Sequence, residues 1–350
     1  MKAVTPLIPE NVAPIGAKRI TVHDSSGNRV GGIPLGHFAR PTAEPLYRFC
    51  ALADVHIQSD TATDDFARAL AYADEHCAFT CIAGDLTNQG IHDDYLPYQN
   101  IVTAHQKPVY AMAGNHEHYS VRDPNWLLNA TGKPLYYSFA YGDDVFIMVG
   151  HFGGYDDSIG NWRVNDFVST EELKWLYETL EDNYNKRCFV FIHVLPIAHG
   201  VGDPCGLYTK RNPAVSGLWD VRDGVGKAVI DLLRHYKNTI LFHGHSHTML
   251  GLQEDDPKAN YSDVDGYRSV HIPSLAVPRD EVNSALKDFS AESEGYIVDV
   301  YDGYIILNGR DFIGGDGDGH WIPLGTYRID TPLQNVEAGT FEDSTGLITT

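Results

Sequence analysis

Gly114-Asn115-His116-Glu117 stands directly behind the short apolar run Pro108-Val109-Tyr110-Ala111-Met112-Ala113, and four other polar corners of the chain stand behind runs of the same kind. Asp54-Val55-His56 follows Tyr47-Arg48-Phe49-Cys50-Ala51-Leu52, and Gly84-Asp85 follows Phe79-Thr80-Cys81-Ile82-Ala83. His193 ends Cys188-Phe189-Val190-Phe191-Ile192, and Gly244-His245-Ser246-His247 follows Thr239-Ile240-Leu241-Phe242. Brief apolar runs that alternate with amphipathic helices read as sheet strands buried on both faces. In open α/β sheets, ligands bind outside the carboxyl ends of the strands. Five segments far apart in sequence are therefore expected to bring two Asp, one Asn and up to five His to one rim.

That mixture suits a pair of divalent cations. Neutral imidazole favours zinc, iron, manganese and nickel, carboxylate and amide oxygens add harder donors, and no thiolate stands at any of the five corners. Their order and content, DVH, GDLTN, GNHE, FIH and GHSH, resemble the signature of the calcineurin-like metallophosphoesterase superfamily, in particular its small-molecule phosphodiesterase branch. Each motif is weak alone, and the ordered set behind five strands is what carries the resemblance. It covers about residues 46 to 310 and implies an α/β fold, a four-layer α/β/β/α sandwich.

The resemblance also implies roles. Asp85 is the carboxylate expected to bridge two ions, since a bridge is needed to hold like charges roughly 3.5 to 4 Å apart. Asp54, His56 and His247 complete one ion; Asn115, His193 and His245 complete the other. Residues two apart in an extended corner project to the same side, which suits His245 and His247. His116 is expected to bind no ion and to donate a proton to the leaving oxygen, a task for which imidazole has a suitable pKa. The nucleophile implied is a metal-bridging hydroxide, with no covalent enzyme intermediate.

Three positions depart from the family pattern. Asn88 stands where many members carry an Asp that partners the catalytic His. Gln89 replaces the phosphate-binding Arg of the protein-phosphatase branch, which argues against that branch. Val194 replaces a second His often found after the lone metal His. Asn88, His118, Tyr119, His151, Tyr155 and His199 lie in or near the same rim loops and are the candidates for substrate contact.

Composition narrows the function further. The 350 residues, 43% of them hydrophobic, suffice for a sizeable core. Acidic residues outnumber basic ones by 47 to 26, a formal charge of −21, which argues against a broad grip on a nucleic-acid backbone and hence against a nuclease. Bound cations would reverse that sign locally and admit a small phosphoester substrate. Five scattered cysteines read as reduced, buried thiols, and with no signal-peptide core or membrane-spanning run the expectation is a cytoplasmic protein, virion-associated if phage-encoded. Nothing in the sequence specifies an oligomeric state. Against the hydrolase reading stands a surface or assembly module of the phage-associated kind that keeps the fold alone; a filled ligand set argues against it.

Residues 1–45 read as an arm and a β-hairpin, with strands Arg19 to His23 and Arg29 to Ile33 around Asp24-Ser25-Ser26-Gly27-Asn28. Residues 46–310 read as the catalytic domain. Its expected helices run from Asp64 to Cys77, capped by Thr63 or Asp64, from Asp93 to His105 with Pro97 in the first turn, from the capping box Ser169/Glu172 to Leu180, and from Val225 to Tyr236. Residues 119–142 read as a loop that ends in the strand Leu135 to Phe139. Three late strands, Tyr267 to Ile272, Gly295 to Val300 and Tyr304 to Leu307, are expected to build the second sheet. Residues 311–350 read as an extension with a strand at Tyr327 to Asp330. Within it, Gly314 to Gly319 lacks the ligand spacing of an EF-hand and reads as a turn rather than a calcium loop. Tyr136, Tyr137, Phe139 and Tyr141 read as sheet packing rather than a base-stacking platform.

Overall fold

The computed structural model describes residues 20–23, 29–33, 41–58, 61–119, 126–150, 154–156, 161–163, 168–194, 225–251, 260–263, 266–280, 287–288, 292–313, 319–322, 325–331 and 337–348. The elements run β1 (Ile20–His23), β2 (Arg29–Ile33), β3 (Tyr47–Leu52), α1 (Ala62–His76), β4 (Phe79–Ile82), α2 (Tyr95–Ala104), β5 (Val109–Ala111), α3 (Trp126–Thr131), β6 (Tyr136–Tyr141) and β7 (Asp144–Val149). After β8 (Gly154–Asp156) and β9 (Asn161–Arg163) come α4 (Thr170–Asp182), β10 (Cys188–Ile192), α5 (Val225–His235), β11 (Thr239–His243), β12 (Tyr261–Ser262) and β13 (Ser269–His271). The chain continues through β14 (Arg279–Asp280), β15 (Lys287–Asp288), β16 (Glu294–Tyr301), β17 (Tyr304–Asp311), β18 (His320–Trp321) and β19 (Tyr327–Asp330).

Two mixed sheets carry the fold. One has the order β18-β17-β16-β3-β4-β5 with β19 also paired to β17, and the other has the order β12-β13-β11-β10-β7-β6. β3, β4 and β5 are parallel, as are β7, β10, β11 and β13. Alternation along each strand splits the core into layers. Phe49, Phe79, Phe146, Phe189, Phe191 and Phe242 meet between the sheets. On the outer face of the first sheet, Cys50, Leu52 and Ile82 pack with Phe66, Leu70 and Tyr98 of α1 and α2. On the outer face of the second, Ile147, Val190 and Leu241 pack with Leu173, Leu176, Val229 and Leu233 of α4 and α5. Helices, sheet, sheet, helices: this is the four-layer α/β/β/α sandwich. Every strand that carries a site corner has apolar residues on both faces, so the continuous runs are a consequence of burial.

Local chemistry sets several boundaries. α4 starts at a complete capping box, with the Ser169 hydroxyl accepting from the Glu172 amide at 3.1 Å and Glu172 accepting from the Ser169 amide at 2.7 Å. Pro97 falls in the first turn of α2, where its missing N–H breaks no bond. Asp302 and Gly303 turn β16 into β17 with Tyr301 paired to Tyr304. Tyr137 and Phe139 pack against the inter-sheet core, and Phe139 stacks on Tyr110 at 3.6 Å. The described cysteines, Cys50, Cys77, Cys81 and Cys188, are all buried free thiols.

The structure corrects three expectations. α1 begins at Ala62 behind Thr61, so neither Thr63 nor Asp64 caps it, and the Thr61 hydroxyl donates instead to the Asp65 side chain at 2.6 Å. A short helix, α3, occupies part of the segment read as loop; at six residues it is too short for periodicity to reveal. The late strands divide between the sheets. β13 lies in the second, whereas β16 and β17 join β3 in the first and are antiparallel to their neighbours. Strand pattern records burial but not the partner, which tertiary pairing alone decides. The C-terminal strand β19 extends the same sheet, and Ile348 packs with the α4/α5 layer. Residues 314–318, most of the glycine-rich segment read as a turn, lie outside the described residues.

Opposite the motif corners, at the starting ends of β7 and β10, Arg187 ties the two sheets together. Its guanidinium grips Asp144 through Nε at 3.0 Å and Nη2 at 2.7 Å, and donates through Nη1 to Tyr301 O at 2.9 Å and Thr331 Oγ1 at 3.0 Å. Tyr47 completes the Asp144 carboxylate at 2.6 Å. Removing one partner of a buried pair leaves the other charge stranded. Arg187→Met is expected to lower stability by about 3–5 kcal/mol in denaturant unfolding; a loss under about 1 kcal/mol, the level of exposed pairs, would show that this network does not clamp the sheets.

Candidate metal centre

The five corners converge where the two sheets end side by side. Asp54, His56, Asp85, His245 and His247 all have left-handed backbone, with φ between 46° and 73°. Non-glycine residues enter that region at a cost on the order of 1–3 kcal/mol each, and such strain clusters at functional sites. Its structural effect is to turn each strand end sharply, so that the side chain points into the gap between the sheets. Gly84 and Gly114 make the approach close enough. A Cβ on Gly114 would lie 2.1 Å from Asp85 Oδ1, and one on Gly84 would lie 2.8 Å from the backbone of Gly114 and from His193 Cγ.

Asp85 sits at the middle of the gathered side chains. Its Oδ2 lies 3.1 Å from His193 Nε2 and 3.8 Å from both His56 Nε2 and His116 Nε2. On one side, His247 Nε2 is 3.1 Å from His56 Nε2 and 3.2 Å from Asp54 Oδ1. On the other, Asn115 Oδ1 is 3.1 Å from His193 Nε2. Donors bound to one cation at about 2.0–2.2 Å stand roughly 3 Å apart at its coordination edges, so these spacings fit shared ligation. Among the described residues three groups have the right donors within reach of one another: Asp54, His56 and His247; Asp85, His193 and His245; and His56, Asp85 and His116.

Neighbouring backbone orients the rings. Nδ1–H of His193 donates to Ala83 O at 2.6 Å, that of His247 to Val277 O at 3.1 Å, and that of His116 to Asn88 O at 2.8 Å. Each bond leaves Nε2 facing Asp85 or Asp54, the arrangement by which metal-ligating imidazoles are usually held. Asp54 also accepts from the His245 amide at 2.9 Å, and Asp85 Oδ1 accepts from the His116 amide at 2.9 Å.

A family model for calcineurin-like phosphoesterases matches residues 47–249, more than half of the chain. The chain belongs to the calcineurin-like phosphoesterase family. Among solved structures, the purple acid phosphatase PPD1 from yellow lupin (Lupinus luteus) seeds is similar at TM-score 0.50 and 13% identity, over 88% of this chain and 58% of that one. GAP50, described as the anchor in the inner membrane complex of Plasmodium, is similar at TM-score 0.47 and 13% identity, over 83% and 90%. A predicted phosphoesterase from Streptococcus pneumoniae TIGR4 is similar at TM-score 0.37 and 10% identity, over 81% and 97%. No curated protein matches the chain. The family is metal-dependent, and among the described residues no helix is long and apolar enough to cross a membrane.

All seven residues expected as ligands, and His116 with them, meet in this one place. His116 has 23% of its side chain exposed, against 5% for His56 and none for His193, so it opens toward solvent. Asn88 reaches His116 through its backbone carbonyl, so the Asp-to-Asn departure leaves that bond intact. His118 is buried and belongs to none of the donor groups. Tyr155 lies in β8 with its side chain undescribed, and His151 and His199 lie outside the described residues. Two supports escaped the sequence. Glu117, fully buried, accepts from the Gly114 amide at 2.7 Å and the Thr87 amide at 3.0 Å, pinning the GNHE corner to the Asp85 corner. Ser246 Oγ is held between Thr248 Oγ1 at 2.9 Å and His271 Nε2 at 2.6 Å, which fixes the residue between His245 and His247. A polar residue behind each motif is the available signal for Glu117; for His271, in a separate strand, the sequence holds none.

Burial works to raise Asp54 and Asp85, but His247 and His193 outweigh it at Asp54, and His193 and His116 at Asp85; both stay below the usual carboxylate range. Burial, with the charge of His247, lowers His56 to about 3, and burial with the charge of His193 lowers His245 to about 4. His193 moves the other way: the Asp85 and Asp54 charges overcome burial and raise it to about 9. Ligation requires neutral imidazole, so at pH 7 His56 and His245 would be ready for a cation and His193 would have to lose its proton to bind one. Cation binding at pH 7 is therefore expected to release about one proton from His193, and apparent affinity should climb with pH until about pH 9. Calorimetric titration in two buffers of different ionisation enthalpy reads the release directly; none at pH 7 would contradict the role given to His193.

Proposed function

We propose that this chain is a metal-dependent phosphoric ester hydrolase that holds two divalent ions and acts on small phosphomonoesters or phosphodiesters. The observation that carries the reading is the placement of Asp85 Oδ2 between two donor groups, 3.1 Å from His193 on one side and 3.8 Å from His56 on the other. Asp54, His56, His247 and Asp85 would hold one ion, and Asp85, Asn115, His193 and His245 the other. Imidazole with oxygen donors and no thiolate fits manganese, iron, zinc or nickel. When bound, the ions supply Lewis acidity to the phosphoryl oxygens and acidify a water nucleophile.

The chain's own residues provide the rest. Buried Asp54 and Asp85 set a negative floor that attracts cations first and, once neutralised, no longer repels a phosphoester. The surrounding charge of −21 selects against long polyanions, which favours a small substrate over a nucleic acid. His116 keeps Nε2 at the centre, 3.8 Å from Asp85 Oδ2, with its ring anchored through Nδ1 to Asn88 O and its backbone amide bound to Asp85. In its protonated form it can give that proton to the leaving oxygen.

His116→Gln is expected to retain both ions and to lose turnover on the order of 10²- to 10⁴-fold for an alkyl leaving group. The loss should be much smaller for p-nitrophenolate, which departs as a stable anion. Metal analysis alongside assays of an alkyl and an aryl phosphodiester separates the outcomes. Loss of metal in the variant would make His116 a ligand. Wild-type protein that takes up metal but hydrolyses neither monoester nor diester would refute the enzyme reading.

A further inference from the structure

Tyr119 lies four residues beyond Asn115 in Gly114-Asn115-His116-Glu117-His118-Tyr119. Both residues have right-handed helical backbone, Asn115 at φ −75°, ψ −30° and Tyr119 at φ −66°, ψ −35°. The turn between them is a 3-10 turn, closed by the His118 amide donating to Asn115 O at 3.1 Å and the Tyr119 amide donating to His116 O at 3.2 Å, and it brings the Tyr119 side chain back beside Asn115 and His116. Two contacts result. Asn115 Nδ2 donates to the Tyr119 hydroxyl oxygen at 2.9 Å, and the Tyr119 ring leans on the His116 imidazole with 4.3 Å between centroids and 39° between planes.

The same amide points Oδ1 at His193 Nε2, 3.1 Å away. An amide can offer a cation only its oxygen, so its NH2 group must be occupied on the far side. A cation on Oδ1 withdraws electrons from the amide and strengthens Nδ2–H as a donor, which makes the bond to the phenol oxygen tighter in the loaded state. The intervening Glu117 turns the other way, toward the Gly114 and Thr87 amides. The turn is thus fixed at its base by Glu117 and at its rim by Tyr119.

We propose that Tyr119 is a positioning residue that holds the Asn115 oxygen on the ion shared with His193 and His245 and steadies His116 beside it. This rests on the two-ion reading above. The phenol oxygen serves the amide and the ring serves the imidazole, so the two roles separate by substitution. Tyr119→Phe keeps the ring and removes the acceptor; Tyr119→Leu removes both. Partners of this kind typically contribute roughly 10- to 100-fold in metal affinity.

The test is a Mn(II) titration of metal-free wild type, Tyr119→Phe and Tyr119→Leu, with metal-free Tm and turnover of an alkyl phosphodiester at saturating metal. Tyr119→Phe is expected to keep the wild-type Tm, to bind one ion as before and to bind the other roughly 10- to 100-fold more weakly. Tyr119→Leu should show the same selective loss and a further fall in kcat at saturating metal. Tyr119→Phe that titrates as wild type overturns the proposal, as does equal weakening of both ions with a lowered Tm. Wild type that binds a single ion refutes the two-ion reading separately; the Tyr119 proposal then stands or falls on whether Tyr119→Phe weakens that ion.

Discussion

A carboxylate with almost no solvent, Asp85, is shared by histidines from both sheets, and the rest of the site follows from keeping it ionised there. Burying an isolated charge is prohibitive, so the carboxylate must be paired. Its partners arrive from β10 through His193, from the β3 corner through His56 and from the β5 corner through His116. The Asp85 and Asp54 charges overcome burial and raise His193 to about 9, so its imidazolium pairs with the carboxylate.

Holding so many donors at one point demands backbone that the chain would otherwise avoid. Five residues of the centre are left-handed, and at a cost on the order of 1–3 kcal/mol each the strain is comparable to the net stability of an ordinary domain. The surroundings over-determine it. Glu117 ties two corners by their amides, and burial with the Asp85 charge raises it to about 8, so this clamp sits where its protonation is sensitive to the centre. Ser246 and His271 hold the third corner, and the inter-sheet layer of phenylalanines fixes the sheets that carry all of them. Arg187 closes the opposite end.

Much of this was legible because burial writes itself into sequence. Four of the five strands that carry the corners, β3, β4, β10 and β11, are largely buried and show as mainly apolar runs, and each corner residue sits at the break that ends a run. The helices α1, α4 and α5 show because one face of each is apolar at a helical spacing. What stayed hidden has no local signature. The transfer of β16 and β17 to the first sheet is a choice of partner, α3 is too short to display a period, and Thr61 begins α1 with a hydroxyl bound to Asp65 in place of a cap. The Asn88 carbonyl under His116 is backbone, so no residue type at that position could have announced it.

The central claim is that Asp85 links two cations. Electron paramagnetic resonance of the protein saturated with Mn(II) tests it most directly, because two Mn(II) ions joined by a carboxylate couple magnetically and ions held apart do not. The account predicts the spectrum of a coupled pair that grows as the second equivalent binds. A spectrum of isolated ions at full loading, or saturation at one equivalent, would contradict it.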